Sequence, residues 1–338
     1  MIIQNVNNIN TNSIILSLIQ LKNNKIVAGF IDGFIKIYNS YTFIEEQSIK
    51  IHNNWINYII QLTNENIVTC SEDKTIKIIF CLNKKNKNDN NNNNKNCFIN
   101  FFNKIKQMKF NNNNNNNYSI LHTLKGHKDS VEKIIEFNYT NDIISCSKDK
   151  TIKIWKIKKN NSYSNIYTFN ENLLEIWSIL LIKSNILLSI NKVIFSINKE
   201  DCFINFYDLN LKKKIKFITN ILISENNQAQ IIFNNDLYIG GFEGVYIIDT
   251  ISYNIKDKII INGKNNWINC ILNIDKENIL FISNKLNYIL YNINNKNIIL
   301  VKKKVHKIYV STIIKLSNNN KYILSGSKDR YIKLWEII

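Results

Sequence analysis

The stretch Leu124–Ile157, LKGHKDSVEKIIEFNYTNDIISCSKDKTIKIWKI, constrains this chain most, because its layout returns along the rest of the sequence. Gly126-His127 reads as a turn, Val131 to Phe137 as a mostly apolar run, Asn138 to Asp142 as a turn, and Ile143 to Ser147 as a second strand. Lys148-Asp149-Lys150 then makes a tight turn into Thr151 to Ile157, where Ile152 and Ile154 alternate with Lys153 and Trp155. Aligning that tight turn elsewhere gives Asp32, Asp73, Asp149, Asp201, Glu243, Lys285 and Asp329, at successive spacings of 41, 76, 52, 42, 42 and 44 residues. A unit in the low forties, copied seven times with insertions in the two long gaps, predicts seven small sheets. Six residues past the turn the Trp155 place holds Tyr38, Ile79, Tyr207, Tyr291 and Trp335, with Ile248 in a fifth copy one residue shorter.

Other patterns agree. The segments His52 to Thr69 (HNNWINYIIQLTNENIVT) and Lys264 to Phe281 (KNNWINCILNIDKENILF) run in parallel without a gap. All eight glycines fall at repeat positions: Gly29, Gly240, Gly241 and Gly326 on second strands, Gly33 and Gly244 in turns, Gly126 and Gly263 just before the His place. At 338 residues the chain exceeds what one undivided core supports, yet no Pro/Ser linker divides it, and a ring of small stacked sheets resolves that tension. Abundant Ile, Tyr and Phe with no Pro favour strands.

This repeat resembles the WD40 repeat, and the resemblance implies an all-β fold: a seven-bladed β-propeller with four strands per blade. It covers residues 1–338 as a single propeller, apart from one insertion. The last repeat ends at Ile338 just after its third strand, so its outer edge needs a partner. The N-terminal Ile2 to Val6 precedes blade one and is expected to complete blade seven, closing the ring as WD40 rings are closed. Between the third strand of blade two and its expected outer strand, Tyr118 to Leu124, lies an Asn/Lys-rich low-complexity insertion, residues 83–117. Its Asn runs cannot bury enough apolar surface to order themselves. The strand boundaries of blade four, where Ile186 to Ile197 holds more strand-like sequence than one strand needs, and of blade five are not fixed by pattern.

The net charge of +18 raises nucleic acid or an anionic membrane surface as partners. Nearly all of that charge is Lys, with Arg330 the only Arg, which weakens recognition by bidentate forks. Six cysteines form no C-x-x-C pair and four His give no zinc pattern, so no metal and no cofactor are expected. Cys70 and Cys146 occupy one place in two repeats and read as core packing. Without a basic leader or a long apolar run, the sequence reads as cytoplasmic or nuclear with no transmembrane segment.

In WD40 proteins a His, a second-strand Ser/Thr, the turn Asp and the third-strand Trp form a hydrogen-bonded tetrad. The resemblance maps it onto His127, Ser147 or Ser145, Asp149 and Trp155, and onto His306, Ser327 or Ser325, Asp329 and Trp335. Blade two keeps His52, Ser71 and Asp73 but has Ile79 at the Trp place. A Ser, His and Asp together also resemble a hydrolase triad. No G-x-S-x-G elbow, H-E-x-x-H, P-loop or dinucleotide fingerprint accompanies them, so no catalytic residue is assigned.

Three places past the His position stand Trp55, Trp267 and Tyr309, with Ser130 and Glu175 as counterparts. The fold family puts these on one rim beside Lys148, Lys150, Lys328 and Arg330, where aromatics in a polar surround suit a partner's peptide and the cations suit an acidic or phosphorylated one. The function expected is a non-enzymatic scaffold that binds protein or peptide on this top rim within a multi-protein complex. One alternative is a basic propeller binding nucleic acid or anionic phospholipid, although the F-R-R-G lipid signature is missing. Another is a substrate receptor of a ubiquitin ligase, although Lys156 and Glu336 follow Trp155 and Trp335 where W-D-x-R would need Asp. Oligomeric state is not encoded in any pattern found.

Overall fold

The computed structural model describes residues 2–81, 118–158, 162–170, 172, 174–192, 202–221, 229–242, 244–261, 266–317 and 320–338. Their twenty-eight strands form seven antiparallel sheets of four. In chain order the blades span residues 15–50, 56–124, 131–169, 175–221, 230–260 and 268–302, and the seventh joins 310–337 to the N-terminal strand Ile3–Asn10. No helix among the described residues is long and apolar enough to cross a membrane.

Closure of the ring follows the expectation and extends it. Ile3–Asn10 pairs antiparallel with Tyr331–Ile337, setting Ile3 opposite Ile337 and Asn10 opposite Tyr331. The two chain ends also exchange bonds, Ile2 N to Ile338 O at 2.6 Å and Ile338 N to Ile2 O at 2.8 Å. Thr11 N and its hydroxyl then both donate to Arg330 O, holding the exit from the strand.

The second strands of blades one, two, three and six are buried at every residue, because each blade is covered on both faces by its neighbours. Seven apolar clusters result, each at a junction between neighbouring blades. Between blades one and two, for example, Val27, Ile35 and Ile37 meet Ile56, Ile59 and Ile79. Between blades four and five Leu188, Ile204 and Phe206 meet Leu237, Ile239 and Ile248. Each Ile or Leu so enclosed contributes on the order of 2 kcal/mol of transfer free energy. The thiols of Cys70, Cys146 and Cys270 lie within this packing, and burial pushes all three up from their ordinary value.

Two irregularities recur with the repeat. Opposite every Trp-place residue the fourth strand carries a bulge: at Tyr38, Ile79, Trp155, Tyr207, Ile248, Tyr291 and, against the N-terminal strand, Trp335. A second bulge interrupts the first strand of blades one, two, three, four, six and seven near its start, after the leading residue or, in blade four, after the second. A bulge adds one residue and sharpens the local twist, which re-aims the side chain there. The tight turns share a left-handed residue at one place, Gly33 (φ 78), Lys74 (φ 70), Lys150 (φ 68), Leu286 (φ 63) and Arg330 (φ 67). At Gly33 a Cβ would stand 2.3 Å from His52 O, so only glycine fits that turn.

In blade two the third strand, Ile76–Cys81, pairs with Tyr118–Leu124. The insertion expected at 83–117 lies outside the described residues, as do the turn residues Asp201 and Glu243 and the upper part of the strand-like run after Lys192. Blade four places Ile186–Lys192 as its second strand, and blade five opens with a first strand of four residues, Gln230–Phe233.

Candidate functional site

The rim is built on the turns, and the turns on buried polar networks. In blade three, Trp155 Nε1 donates to Ser145 Oγ at 2.8 Å, Ser145 Oγ lies 2.8 Å from His127 Nε2, and His127 Nδ1 lies 2.8 Å from Asp149 Oδ2. An indole N–H can only donate, so Ser145 accepts from it and gives its own proton to Nε2; the ring hydrogen then sits on Nδ1 and points at the carboxylate. Burial lowers the His127 pKa against the pull of Asp149, which keeps the ring neutral. Burial would raise Asp149, but hydrogen bonds from His127, Thr151 and the Lys128 amide hold it well below its ordinary value.

Ser147 has a different task from the one the sequence left open for it. Its hydroxyl accepts from Asp149 N at 3.0 Å and donates to Asp129 O at 3.1 Å, closing the turn instead of joining His127 to Trp155. Blade seven repeats the division: Ser325 stands between His306 (2.7 Å) and Trp335 (2.9 Å), while Ser327 accepts from Asp329 N. Burial again lowers His306, and Asp329 is held near about 2 despite burial, chiefly by its bond from His306. In blade two it is Thr69, not Ser71, that meets His52 Nε2 at 2.8 Å, with Ser71 capping the Asp73 amide.

The other blades replace this network. Blade four has Asn172 at the His place and Tyr207 at the Trp place, with Tyr207 Oη donating to Asn172 Oδ1 at 2.5 Å. Blades one, five and six put Ala28, Ile239 and Phe281 where Ser145 stands, and these join the apolar clusters. As chemistry, the Ser145, His127 and Asp149 spacing is that of a nucleophile, base and orienting acid. Ser145 is fully buried and its oxygen is taken by the indole, so no acyl carbon can reach it.

Above the networks, one backbone bond marks equivalent positions around the rim. The amides of Ile31, Glu72, Lys148, Asn284 and Lys328 donate to the carbonyls of Ile14, Trp55, Ser130, Trp267 and Tyr309 at 2.7 to 3.1 Å. Blades six, seven, one and two therefore present Trp267, Tyr309, Ile14 and Trp55 in sequence, an apolar arc, while blade three presents the buried Ser130. Trp55 is 42% exposed. Trp267 is half-buried against Phe242, ring centroids 5.2 Å apart. Lys328 Nζ lies 5.0 Å over the half-buried Tyr309 ring.

Two segments, residues 118–156 and 300–336, match the family model described as "WD domain, G-beta repeat". They end on the two blades whose networks include Trp. The chain carries WD40 repeats. A stretch of 40 residues of this WD40 chain is 48% identical to the "WD repeat-containing protein 89 homolog" of Dictyostelium discoideum, covering 12% of this chain and 11% of that protein.

On the WD40 rim, the cations divide. Lys148 is engaged: its Nζ is 3.5 Å from Glu132 Oε1 and 4.5 Å from the centre of the Trp177 ring. Burial pushes the Glu132 carboxyl up, opposed by Lys148. Lys150 and Arg330 are exposed, and among the described residues neither side chain has an ion pair. Sequence reasoning missed Trp177 and Phe242. Counting three places past the His position lands on Glu175, but Trp177 is the bulged residue of its strand and the one that stacks on Lys148. The signal was available: of five Trp, two serve networks, and the remaining three all lie at the start of first strands.

Proposed function

We propose that this WD40 protein is a non-enzymatic scaffold that holds a peptide segment of a partner protein against the rim, within a multi-protein complex. The apolar arc of Trp267, Tyr309, Ile14 and Trp55 supplies the anchors, and Lys150, Lys328 and Arg330 favour an acidic or phosphorylated segment. The observation that carries this reading is Trp55, a large aromatic 42% exposed at a position whose backbone is pinned by the Glu72 amide. An aromatic held rigid at the surface loses little entropy when a partner covers it, which is what binding anchors require. The Ser, His and Asp sets are assigned to stability, since both Ser145 and Ser325 are fully buried beneath an indole N–H.

The test is affinity capture with wild type and with Trp55→Ala/Trp267→Ala, followed by direct titration of the captured partner's peptide. Anchors of this kind contribute about 2 kcal/mol or more each, so the double variant, losing about 4 kcal/mol, should bind nearly a thousandfold more weakly. Trp55→Ala alone, which leaves the Phe242–Trp267 contact intact, should show about half of that free-energy loss with unchanged unfolding. Equal affinity of wild type and variants would remove the rim from the account.

A further inference from the structure

A cavity of about 610 Å³ opens between blades two and three, on the side of the turns, with Asn53 in its lining. One wall is the Asp73 turn with the start of the following strand. The other is the link leaving the outer strand Tyr118–Leu124 for blade three. Lys74 and Lys77 come from the first wall and Lys125 from the second, while Asp73, Thr75 and His127 reach the lining from the two networks.

The charges in this space do not cancel. Both oxygens of Asp73 are taken, Oδ2 by His52 Nδ1 and the Asn53 amide, Oδ1 by the amide and hydroxyl of Thr75. Lys77 Nζ donates to Ile51 O at 2.7 Å, a neutral acceptor. Among the described residues, Lys74 and Lys125 have neither an ion pair nor a side-chain hydrogen bond. Three ammonium groups thus face one polar space whose single carboxylate is committed elsewhere. In blade one the equivalent of Lys77, Lys36, instead meets a carboxylate, Glu45, at 2.9 Å.

We propose that this cavity binds a small polyanion bearing two or more phosphate groups. Its volume falls in the range of small-ligand sites, about 300–1,000 Å³, and exceeds what a single phosphate needs. Lysines on opposite walls suit separate phosphates, each a point charge met by a point charge. The site adjoins the rim, since Lys74 holds in blade two the turn place that Lys150 and Arg330 hold in blades three and seven, but its three lysines are not among the residues assigned to the peptide.

Isothermal titration of the full chain with inorganic phosphate, pyrophosphate and myo-inositol hexakisphosphate tests it. Affinity should rise along that series with one-to-one binding of the last. Lys74→Gln/Lys125→Gln, both at exposed positions, should weaken it about tenfold or more without altering thermal unfolding. Lys213→Gln/Lys276→Gln, which removes two exposed lysines elsewhere, should change it by less than about twofold. Vesicles carrying a bisphosphorylated inositol lipid form the second arm: binding lost in the same double variant assigns the phosphates to a lipid headgroup, and binding of the free compound alone assigns a soluble ligand. No binding at all, or equal losses in the two double variants, would overturn the site. Neither outcome bears on peptide binding at Trp55.

Discussion

Blades two and three carry nearly the same turn and differ in what lies beneath it. Ser71-Glu72-Asp73-Lys74-Thr75 and Ser147-Lys148-Asp149-Lys150-Thr151 form matching bonds. In both, the Ser oxygen accepts from the Asp amide at 3.0 Å, and His Nδ1 lies within 2.9 Å of the Asp carboxylate. Under that common shell, Thr69 and Ile79 in one blade stand where Ser145 and Trp155 stand in the other. Both third-strand residues pack toward the preceding blade, Ile79 on Val27 and Ile37, Trp155 on Val68 and Ile78. The turn is therefore set by His, Asp and Ser, and the indole adds volume and one donor at the junction. A repeat can lose Trp and keep its geometry if an aliphatic side chain fills the space.

The largest effect expected in this comparison is Trp155→Ala, about 4 kcal/mol of stability, because it leaves a cavity and strips Ser145 of a donor. Ile79→Ala should cost about 3 kcal/mol through the cavity alone. Denaturant titration of the two variants gives the difference, and an Ile79→Ala loss as large as that of Trp155→Ala would mean the indole hydrogen bond contributes nothing. Next comes the hydroxyl. Ser145→Ala orphans both an indole N–H and His127 Nε2 and should cost about 2–3 kcal/mol, whereas Thr69→Val orphans only His52 Nε2 and should cost about 1 kcal/mol. Equal costs would break the contrast between the blades.

A smaller, shared effect is pH dependence. Burial lowers His52, His127 and His306 below the ordinary 6.5, so on acidification the unfolded chain takes up protons that the folded chain refuses. Their contribution is complete above pH 6.5 and is lost as pH falls through it; stability rises with pH in that window. The carboxylates add a second loss, beginning below the ordinary 3.8 and, for Asp329, running down to about 2. Unfolding midpoints from pH 8 to pH 4 should be flat at the top and fall below 6.5. A His127→Gln/His306→Gln variant should flatten that first fall.

Much of this fold is legible because a four-strand unit must repeat its turn chemistry to stack. Spacing alone located the Trp place in all seven blades, down to the one-residue-shorter blade five, and the bulge opposite each such residue shows why the place is fixed. Side-chain assignments within a strand were harder. Ser145 and Ser147 lie on one face, two residues apart, so alternation could not choose between them; position along the strand does, since Ser147 ends it and faces the turn amide. Trp177 escaped because it stands two residues past the Trp55 place, at the bulge position that Asn57, Glu132, Asn269 and Ser311 hold in other blades, where no other blade carries an aromatic to mark it. The pairing of Lys148 with Glu132 depends on contact across the sheet, which charge patterning along the chain does not report.

Everything rests on a ring held shut by strands from its two termini, and removing one of them tests this most directly. Deleting residues 1–9 takes away the partner of Tyr331–Ile337 and the buried Ile3 in the junction of blades six and seven. Unfolding of the truncated chain should begin at a lower denaturant concentration, with a loss of about 3 kcal/mol or more and accelerated amide exchange in the strand of Trp335. An unchanged midpoint with full protection of that strand would contradict closure by the N-terminal strand, and with it the shared rim on which the binding surface is placed.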